Sequence, residues 1–203
     1  MEISRKWAMP SHNTFSVKPI GEFVRKYLKD AKTSIDPFAR NNNWATFCND
    51  LNPETSADFH MDAVEFMKEL YDRGHRDADL IILDPPYSPR QITECYASIG
   101  RKATMQDTQS SFYSKLRDAA LLLCGPETTV ISFGWNSVGM GKKRGFNIKE
   151  IMLVCHGGAH NDTICLAETM TKVESLRQYD CFDQEYYDFC EERAEGIRRG
   201  NIG

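Results

Sequence analysis

Residues 80–87 read LIILDPPY, a short apolar run that ends in an acidic residue, two prolines and an aromatic residue. The apolar residues lie between Asp79 and Asp84, a pattern typical of a strand buried on both faces of a parallel sheet. Pro85 and Pro86 end this strand abruptly. Because catalytic groups of open α/β sheets gather at the carboxyl ends of the strands, the sequence predicts a functional turn here.

The turn at residues 84–87 combines a carboxylate, a rigid carbonyl and an aromatic face. An exocyclic amine of a nucleobase is a poor nucleophile because its lone pair is delocalised into the ring. Hydrogen bonds from the amine to the Asp84 carboxylate and the Pro85 carbonyl would stabilise the charge that develops during attack. Pro86 stiffens the turn, and Tyr87 offers a face on which an extruded base stacks. The turn favours methyl transfer to such an amine, and a plain strand with a proline turn is the alternative.

Three acidic residues upstream follow predicted short strands. Asp36 ends the first of them, Asp50 follows the next, and Asp62 lies between a strand at 57–60 and a helix at 63–73. We expect Asp50 to accept hydrogen bonds from ribose hydroxyls and Asp62 to accept from an adenine amino group. Each acid alone is more typical of a helix cap or a turn. Together they predict a pocket for a cofactor that contains adenosine.

In this combination the chain resembles the DNA amino-methyltransferases that use S-adenosylmethionine, the adenine-N6 and cytosine-N4 group. Residues 84–87 match the catalytic motif of that family, and residues 36–38 match its cofactor motif. Residues 49–50 match its ribose-binding position, and residues 16–19 resemble the segment that packs against the methionine end of the cofactor. The resemblance spans roughly residues 15–170, and its motifs follow the unpermuted order.

The resemblance implies S-adenosyl-L-methionine as the cofactor and assigns the site residues. The implied catalytic residues are Asp84, Pro85, Pro86 and Tyr87. The implied cofactor-binding residues are Phe15, Lys18, Asp36, Pro37, Phe38, Ala39, Asp50 and Asp62. Adenine is favoured over cytosine because the cytosine-N4 members more often carry serine before the prolines. Small enzymes of this kind without a recognition domain are often carried by phages and mobile elements.

The turn after Phe38 departs from the family pattern. The family usually has a glycine-rich turn there, whereas this chain reads Ala-Arg-Asn-Asn-Asn at residues 39–43. Asparagine tolerates the left-handed conformation that such a turn needs. Arg40 replaces an expected glycine, and it either points outward or contacts the carboxylate of the methionine group. Loss of cofactor binding in an inactive remnant is therefore an open alternative.

Length and composition predict one domain inside the cell. The chain has 203 residues, 41% of them hydrophobic, enough to bury one sizeable core. We expect a catalytic domain at 1–174 and a C-terminal helix with an acidic tail at 175–203, packed on the same domain. No run of about 18 apolar residues and no signal-peptide core occur, which predicts an intracellular protein without membrane contact. Seven cysteines without a Cys-x-x-Cys pair predict reduced thiols and no metal site.

The remaining sequence completes a sheet. A helix is predicted at 109–123 and a strand at 128–133. Two further strands, at 148–155 and 163–168, are joined by a glycine-containing turn typical of a hairpin. The expected fold class is α/β: a single-domain Rossmann-like methyltransferase fold with a mostly parallel seven-stranded sheet and a terminal antiparallel hairpin.

The net charge of −4 is unexpected for a DNA-binding protein, because phosphate contacts supply most non-specific affinity. Cationic residues nevertheless cluster near the predicted active-site edge, and an ordinary solvated loop is the alternative for residues 142–144. Trp135 is expected to line a base pocket, or else to anchor the core. The candidate substrate-binding residues are Ser88, Arg90, Trp135, Asn136, Lys142, Lys143 and Arg144.

The C-terminal segment at 175–199 is predicted to be helical, with an aromatic stripe between residues 176 and 190. We expect this stripe to pack on the sheet or on a second copy of the protein, which leaves a homodimer open. We expect no separate recognition domain. Sequence selectivity would then depend on the loop at 88–108 and on the loops at 133–137 and 156–161. Because these loops are short, we expect relaxed sequence specificity.

The sequence thus predicts a DNA adenine-N6 methyltransferase that acts on a flipped adenine, with DNA as its partner. The alternatives are a cytosine-N4 or RNA methyltransferase, methylation of a glutamine amide in protein, or a non-catalytic subunit that binds S-adenosylmethionine or DNA. The amide and RNA alternatives would more often show asparagine in place of Asp84.

Overall fold

The computed structural model describes residues 1–104, 110–158, 160–171 and 199. The strands are β1 (Glu2–Trp7), β2 (Ser34–Asp36), β3 (Phe47–Cys48), β4 (Ala78–Leu83), β5 (Cys124–Gly134), β6 (Phe146–Cys155) and β7 (Thr163–Met170). The α-helices are α1 (Lys18–Leu28), α2 (Ala63–Asp72), α3 (Pro89–Ser98) and α4 (Ser110–Leu121). Two short 3₁₀ helices span Thr14–Ser16 and Lys142–Arg144.

The seven strands in the described part of the chain form one sheet in the order β1-β6-β7-β5-β4-β2-β3. Strand β7 is antiparallel to both of its neighbours, and the other pairings are parallel. Strands β2 and β4 are neighbours in the sheet. From β2 the chain continues to β3 on one side, and from β4 it continues to β5 on the other side. A crevice therefore opens between β2 and β4 at the carboxyl ends of the strands, the position where open α/β sheets bind ligands.

Strand β4 is buried on both faces, as the sequence predicted. Leu80 and Ile82 pack with apolar residues of α1 on one face of the sheet. Ile81 and Leu83 pack with α2 and α4 on the other face. Successive side chains of a strand point to opposite faces, so a one-residue slip would exchange the two sets. Helices on both faces thus fix the place where β4 ends.

The helices follow from local sequence signals. Pro19 lies in the first turn of α1, where its missing N–H is not needed. Ile20, Phe23 and Val24 recur at spacings of three and four and are buried. The Asp62 carboxylate caps α2 by accepting hydrogen bonds from two backbone N–H groups of its first turn, at 2.8 and 3.3 Å.

Two strands of the sheet differ from the prediction. The strand predicted at 57–60 is reduced to one parallel bridge between Asn49 and Phe59. Both Asp58 and Phe59 donate their backbone N–H groups to the Cys48 carbonyl, so the ladder does not continue. Strand β1, which the sequence did not indicate, takes the seventh place by pairing in parallel with β6.

Two further segments differ in extent. Strand β5 runs from residue 124 to 134 and is longer than the predicted strand at 128–133. Helix α3 occupies much of the segment predicted as a loop at 88–108, because Ser88 caps it and Pro89 opens it. Residues 105–109 lie outside the described residues.

Asn49 joins three chain segments at the edge beside the crevice, and none of its surface is exposed. Its Nδ2 donates to the carbonyls of Pro37 and Met61 at 3.1 and 3.0 Å, and its Oδ1 accepts from the Met61 N–H at 3.1 Å. Its backbone N–H donates to the Asp36 carbonyl, and its carbonyl accepts from the Ala39 N–H. The ends of β2 and β3 and the segment before α2 are thereby held together.

Some predictions concern residues beyond the described part. The C-terminal helix and tail at 175–203 lie outside it apart from Arg199, as do Cys181 and Cys190. The cysteines that the structure describes are free thiols. Within residues 1–104, 110–158 and 160–171, no helix has the length and apolar character needed to cross a membrane. In the same residues, no group of three or more His, Cys, Asp and Glu side chains is placed to hold a metal ion.

We expect the substitution Asn49→Ala to lower the free energy of unfolding by about 3 kcal/mol, because buried polar groups of Pro37 and Met61 lose their partners. Asn43→Ala is the control, since the exposed Asn43 side chain donates one hydrogen bond, to the Ser56 carbonyl. That change should cost less than about 1 kcal/mol. Urea denaturation measures both, and equal losses in the two variants would contradict the joining role of Asn49.

Candidate active site

The turn after β4 lies in the crevice of the sheet. A cleft of about 560 Å³ opens there. Its walls come from the loops that follow β2, β3 and β4, from α3, and from the loop between β1 and α1. The lining residues are His12, Thr14, Phe38, Arg40, Asn41, Asp50, Leu51, Asn52, Glu54, Thr55, Asp84, Pro85, Pro86, Tyr87, Gln91, Glu94, Cys95, Ser98 and Ile99. The predicted catalytic turn and the end of β3 therefore share one cleft, which we call the large cleft.

Asp84 is partly buried at the base of this cleft and is already hydrogen bonded. The Tyr87 hydroxyl donates to Asp84 Oδ1 at 2.5 Å. Burial raises the pKa of Asp84, while hydrogen bonds with Tyr87 and Thr14 and the charge of Arg40 oppose this rise. Burial also raises the pKa of Tyr87, so its hydroxyl remains a donor. The site thus holds a carboxylate that takes up a proton more readily than an exposed aspartate does.

Hydrogen bonds from two helices hold the turn in place. The Tyr113 hydroxyl, on α4, donates to the Pro86 carbonyl at 2.6 Å. The Gln91 side chain, on α3, accepts from the Tyr87 N–H at 2.6 Å. Ser88 accepts from the Gln91 N–H at 3.3 Å and so begins α3 directly after the turn. The conformation of the turn therefore depends on its neighbours as well as on its two prolines.

Asp50 lies at the end of β3 and lines the large cleft. Its Oδ2 accepts from the Arg40 N–H at 3.0 Å, and its Oδ1 accepts from the Asn52 N–H at 2.8 Å. A carboxylate offers about four lone-pair sites, so these two bonds orient it and leave capacity for a ligand's hydroxyl groups.

Arg40 occupies the position where the resembled family has glycine. Its φ angle is +52°, in the left-handed region that disfavours residues with a side chain. The asparagines at 41–43, which tolerate this conformation, are not among the residues with positive φ. The Arg40 guanidinium lines the cleft and donates through Nη1 to the His12 carbonyl. The turn is therefore built without glycine, and the cleft beside it stays open.

A second, smaller cleft of about 250 Å³ lies on the other side of the turn. Its lining residues are Leu83, Pro85, Tyr87, Tyr113, Leu116, Arg117, Ser132, Phe133, Gly134, Trp135, Asn136, Val138 and Gly139. Pro85 and Tyr87 line both clefts. Trp135 is 42% exposed and packs edge-to-face on Tyr87, with ring centroids 5.8 Å apart. Trp135 is thus part of a cleft wall and does not anchor the core.

The predicted cofactor-binding residues divide into two groups. Phe38 and Asp50 line the large cleft. The others do not line it: Phe15, Lys18, Asp36, Pro37, Ala39 and Asp62. Asp62 Oδ1 caps α2, and the predicted contact of Asp62 with an adenine amino group stays a prediction. Asp36 is 1% exposed and accepts from the Phe38 N–H at 2.9 Å, and burial raises its pKa. These acids shape the turns behind the cleft and do not face it.

Two of the four predicted substrate-binding cations form ion pairs with described acidic residues. Arg144 donates from Nε and Nη2 to Asp118 Oδ1 at 2.8 and 2.5 Å, which ties it to α4. Arg90 forms an ion pair with Glu94 at 2.8 Å on the exposed face of α3. Lys142 and Lys143 are exposed in their 3₁₀ helix. Arg144 is thus held against α4 by Asp118, and its contact with phosphate stays a prediction.

Several lining residues carried no signal in the sequence. His12 and Thr14 reach the large cleft because β1 runs parallel to β6 and ends at the same edge, and β1 itself was not predicted. Gln91 lies on α3, in a segment read as a loop. Arg117 lies in the predicted helix, but its face could be assigned only once α4 was placed beside the turn.

No protein-family model matches the chain, and no curated protein does. Among solved structures it is similar to SMU.776, a "putative methyltransferase complexed with SAH", with a TM-score of 0.50 and 16% identity. The match covers 72% of this chain and 48% of that chain, so it spans about half of SMU.776. The two chains share a fold. Lower similarity is found to the "putative methyltransferase yhhF" from Escherichia coli (TM-score 0.46, 9% identity) and to the "putative methylase HI0767" from Haemophilus influenzae (TM-score 0.43, 8% identity). Each of these matches covers 81% of this chain and 92% of the other.

Replacing Arg40 tests the strain in the turn. Arg40→Gly and Arg40→Ala both remove the guanidinium, but only glycine adopts a positive φ angle without steric cost. We expect the glycine variant to be more stable than the alanine variant by about 1 kcal/mol, the reverse of their order in a helix. Thermal and urea denaturation give the difference, and an alanine variant of equal or greater stability would contradict the assigned conformation.

Proposed function

We propose that this protein is an S-adenosylmethionine-dependent methyltransferase that modifies the N6 amine of a flipped adenine in DNA, with relaxed sequence specificity. One observation carries the proposal: the turn at residues 84–87 lies between two clefts, and Pro85 and Tyr87 line both of them. A methyl donor bound in the large cleft and a base that accepts the methyl group in the small cleft would meet at this turn. The shared fold with SMU.776, described as complexed with SAH, supports the choice of donor.

The large cleft fits a cofactor with an adenosyl group. It lies at the switch point of the sheet, and its volume of about 560 Å³ is suited to a ligand of that size. Asp50 offers carboxylate oxygens for ribose hydroxyls, and the partly buried Phe38 offers a ring beside them. Arg40 adds a cation for a carboxylate such as that of the methionine group. When bound, S-adenosylmethionine supplies the methyl group, and S-adenosylhomocysteine leaves.

Asp84 and Pro85 act on the acceptor amine. Their oxygens accept its hydrogen bonds, favour a tetrahedral nitrogen and stabilise the positive charge that grows on it. A carbon–nitrogen bond forms as the carbon–sulfur bond breaks, and the amine then loses one proton. Burial raises the pKa of Asp84, which makes its carboxylate a better acceptor for that proton. Tyr87 supplies the stacking face, and its hydroxyl holds Asp84 in place until the amine arrives.

The choice of adenine in DNA rests on the aspartate at position 84 and on the resemblance of the motif. Relaxed specificity follows from the shortness of the chain segments around the clefts, which present few side chains for reading base edges. Exposed Lys142 and Lys143 would contact phosphates, which position the strand without reading its sequence.

Mass spectrometry of nucleosides tests the proposal. Unmethylated DNA is incubated with the purified protein and S-adenosylmethionine and then digested, and N6-methyldeoxyadenosine is expected. Asp84→Asn is the matched control, because it keeps the shape of the side chain but removes its charge, and it should cost at least about a hundredfold in rate. N4-methyldeoxycytidine, or methylation confined to RNA, would overturn the choice of acceptor. Absence of any transfer by a protein that binds S-adenosylhomocysteine would indicate an accessory subunit.

Asp50→Asn tests the cofactor side. Loss of the charged acceptor should weaken binding of S-adenosylhomocysteine about tenfold or more, measured by calorimetry. Asp58→Asn is the control, because Asp58 is exposed on the same segment and does not line the cleft. Equal affinity of the Asp50 variant and the wild type would rule out a ribose contact.

The Tyr87→Phe variant tests whether the Tyr87 hydroxyl lowers the pKa of Asp84. An ionised Asp84 is required, so kcat/KM should fall as the pH drops through the pKa of Asp84, which burial raises. The Tyr87 hydroxyl lowers that pKa, so its removal should raise the pKa further and move the acid limb to higher pH. The ring that stacks on the base is kept. A pH profile of kcat/KM that does not move, or that moves to lower pH, would contradict the assignment.

A further inference from the structure

Arg117 is the one described cation that lines the small cleft. It lies on α4 one turn after Tyr113, whose hydroxyl holds the Pro86 carbonyl, so both side chains face the catalytic turn. The Nε atom of Arg117 is buried and has no hydrogen-bond partner among the described residues. A buried donor without a partner is unusual in a folded protein. Because Nε itself is closed to solvent, a ligand in the small cleft would be met by the terminal nitrogens of the guanidinium.

The acidic residues nearest to Arg117 are already engaged. Asp118 accepts two hydrogen bonds from Arg144. Glu168 accepts from the backbone N–H groups of Met140 and Gly141 at 2.6 and 3.0 Å. Burial and the charge of Arg144 both lower the pKa of Arg117, although a guanidinium stays charged under any ordinary condition. The protein therefore leaves Arg117 with unmet capacity to donate hydrogen bonds.

The rest of the small cleft suits a flat aromatic group. Tyr87 and Trp135 contribute rings, and Leu116 and Phe133 contribute apolar surface. Its volume of about 250 Å³ is below the roughly 300 Å³ at which pockets for drug-sized ligands begin. This size favours one small planar group, such as a single nucleobase. A neutral base fits this apolar cleft better than a phosphate group does, because a phosphate would lose its hydration there.

We propose that Arg117 is a specificity-determining residue of the small cleft, where it donates a hydrogen bond to a ring nitrogen of the acceptor base. This inference rests on the proposed function and names how the acceptor is recognised. The ring nitrogens of adenine are acceptors, so a donor fixed on α4 orients the ring in its plane. The exocyclic amine is then directed past Pro85, which lines both clefts, towards Asp84 in the large cleft. A base without an acceptor at that position leaves Arg117 unpaired and binds poorly.

The test compares Arg117→Met with Lys115→Met. Each substitution removes one positive charge from α4, but Lys115 is exposed and lines neither cleft. The substrates are oligonucleotides whose single adenine is replaced by 1-deaza-, 3-deaza- or 7-deazaadenine, each of which lacks one ring acceptor. The measurements are kcat and KM for each oligonucleotide, affinity for S-adenosylhomocysteine, and the midpoint of thermal unfolding.

For the wild type, we expect one deaza substitution to lower kcat/KM about tenfold or more relative to adenine. In Arg117→Met, activity on adenine should fall by a similar factor, and the penalty for that same deaza base should disappear. Affinity for S-adenosylhomocysteine should not change, and the midpoint of unfolding should not fall, because an unpaired buried donor is removed. Lys115→Met should keep the wild-type profile.

If Arg117→Met shows the same relative kcat/KM values for adenine and the deaza bases as the wild type, the role of Arg117 is overturned while the proposed function stands. The same loss in Lys115→Met would also overturn it, because general attraction of DNA would then explain the effect. A wild-type protein that methylates no adenine would overturn the proposed function and this inference with it.

Discussion

The burial of β4 on both faces is the constraint on which the site depends. Ile81 pairs with Ile35 of β2, and Ile82 pairs with Ile131 of β5, so β4 is fixed in register from both sides. Because alternate side chains enter different apolar layers, the strand cannot slide by one residue without exposing them. The place where β4 ends is thereby set, and the rigid turn at residues 84–87 begins at the switch point of the sheet.

The turn has polar contacts of a kind that a plain proline turn does not need. The Asp84 carboxylate is partly buried and hydrogen bonded by Tyr87, and the turn itself is held by Tyr113 and Gln91. On the side of β2 and β3, the buried Asn49 side chain holds the wall that carries Asp50. Hydrogen bonds thus hold both walls of the large cleft in place, an arrangement that suits electrostatic stabilisation of a transition state.

Much of this fold could be predicted from local sequence. The apolar run of β4 and the proline pair after it carry their structure in their own residues. Strand β1 could not be predicted, because an exposed edge strand depends on backbone pairing with β6, far away in sequence. The strand at 57–60 was overestimated, because its neighbour β3 spans two residues and offers little to pair with.

The sequence predicted some residues of the large cleft but not the contacts that surround them. Their positions after strands predicted that Asp84 and Asp50 lie in one cleft, and both line the large cleft. Their roles towards a ligand stay predictions. Asp62 does not line the large cleft, and its carboxylate caps α2, a role that a carboxylate after a short strand also suits. The pairing of Arg144 with Asp118 and the position of Arg117 both depend on how α4 packs beside the turn, which no local pattern encodes.

A crystal structure of the protein with S-adenosylhomocysteine tests the central claim most directly, namely that the turn at residues 84–87 separates a donor cleft from an acceptor cleft. We expect the ligand to lie in the large cleft, with its ribose hydroxyls within hydrogen-bond distance of Asp50 and its sulfur facing the turn. The small cleft beside Trp135 should stay open for the acceptor. Binding of the ligand in the small cleft, or no binding at saturating concentration, would contradict the account.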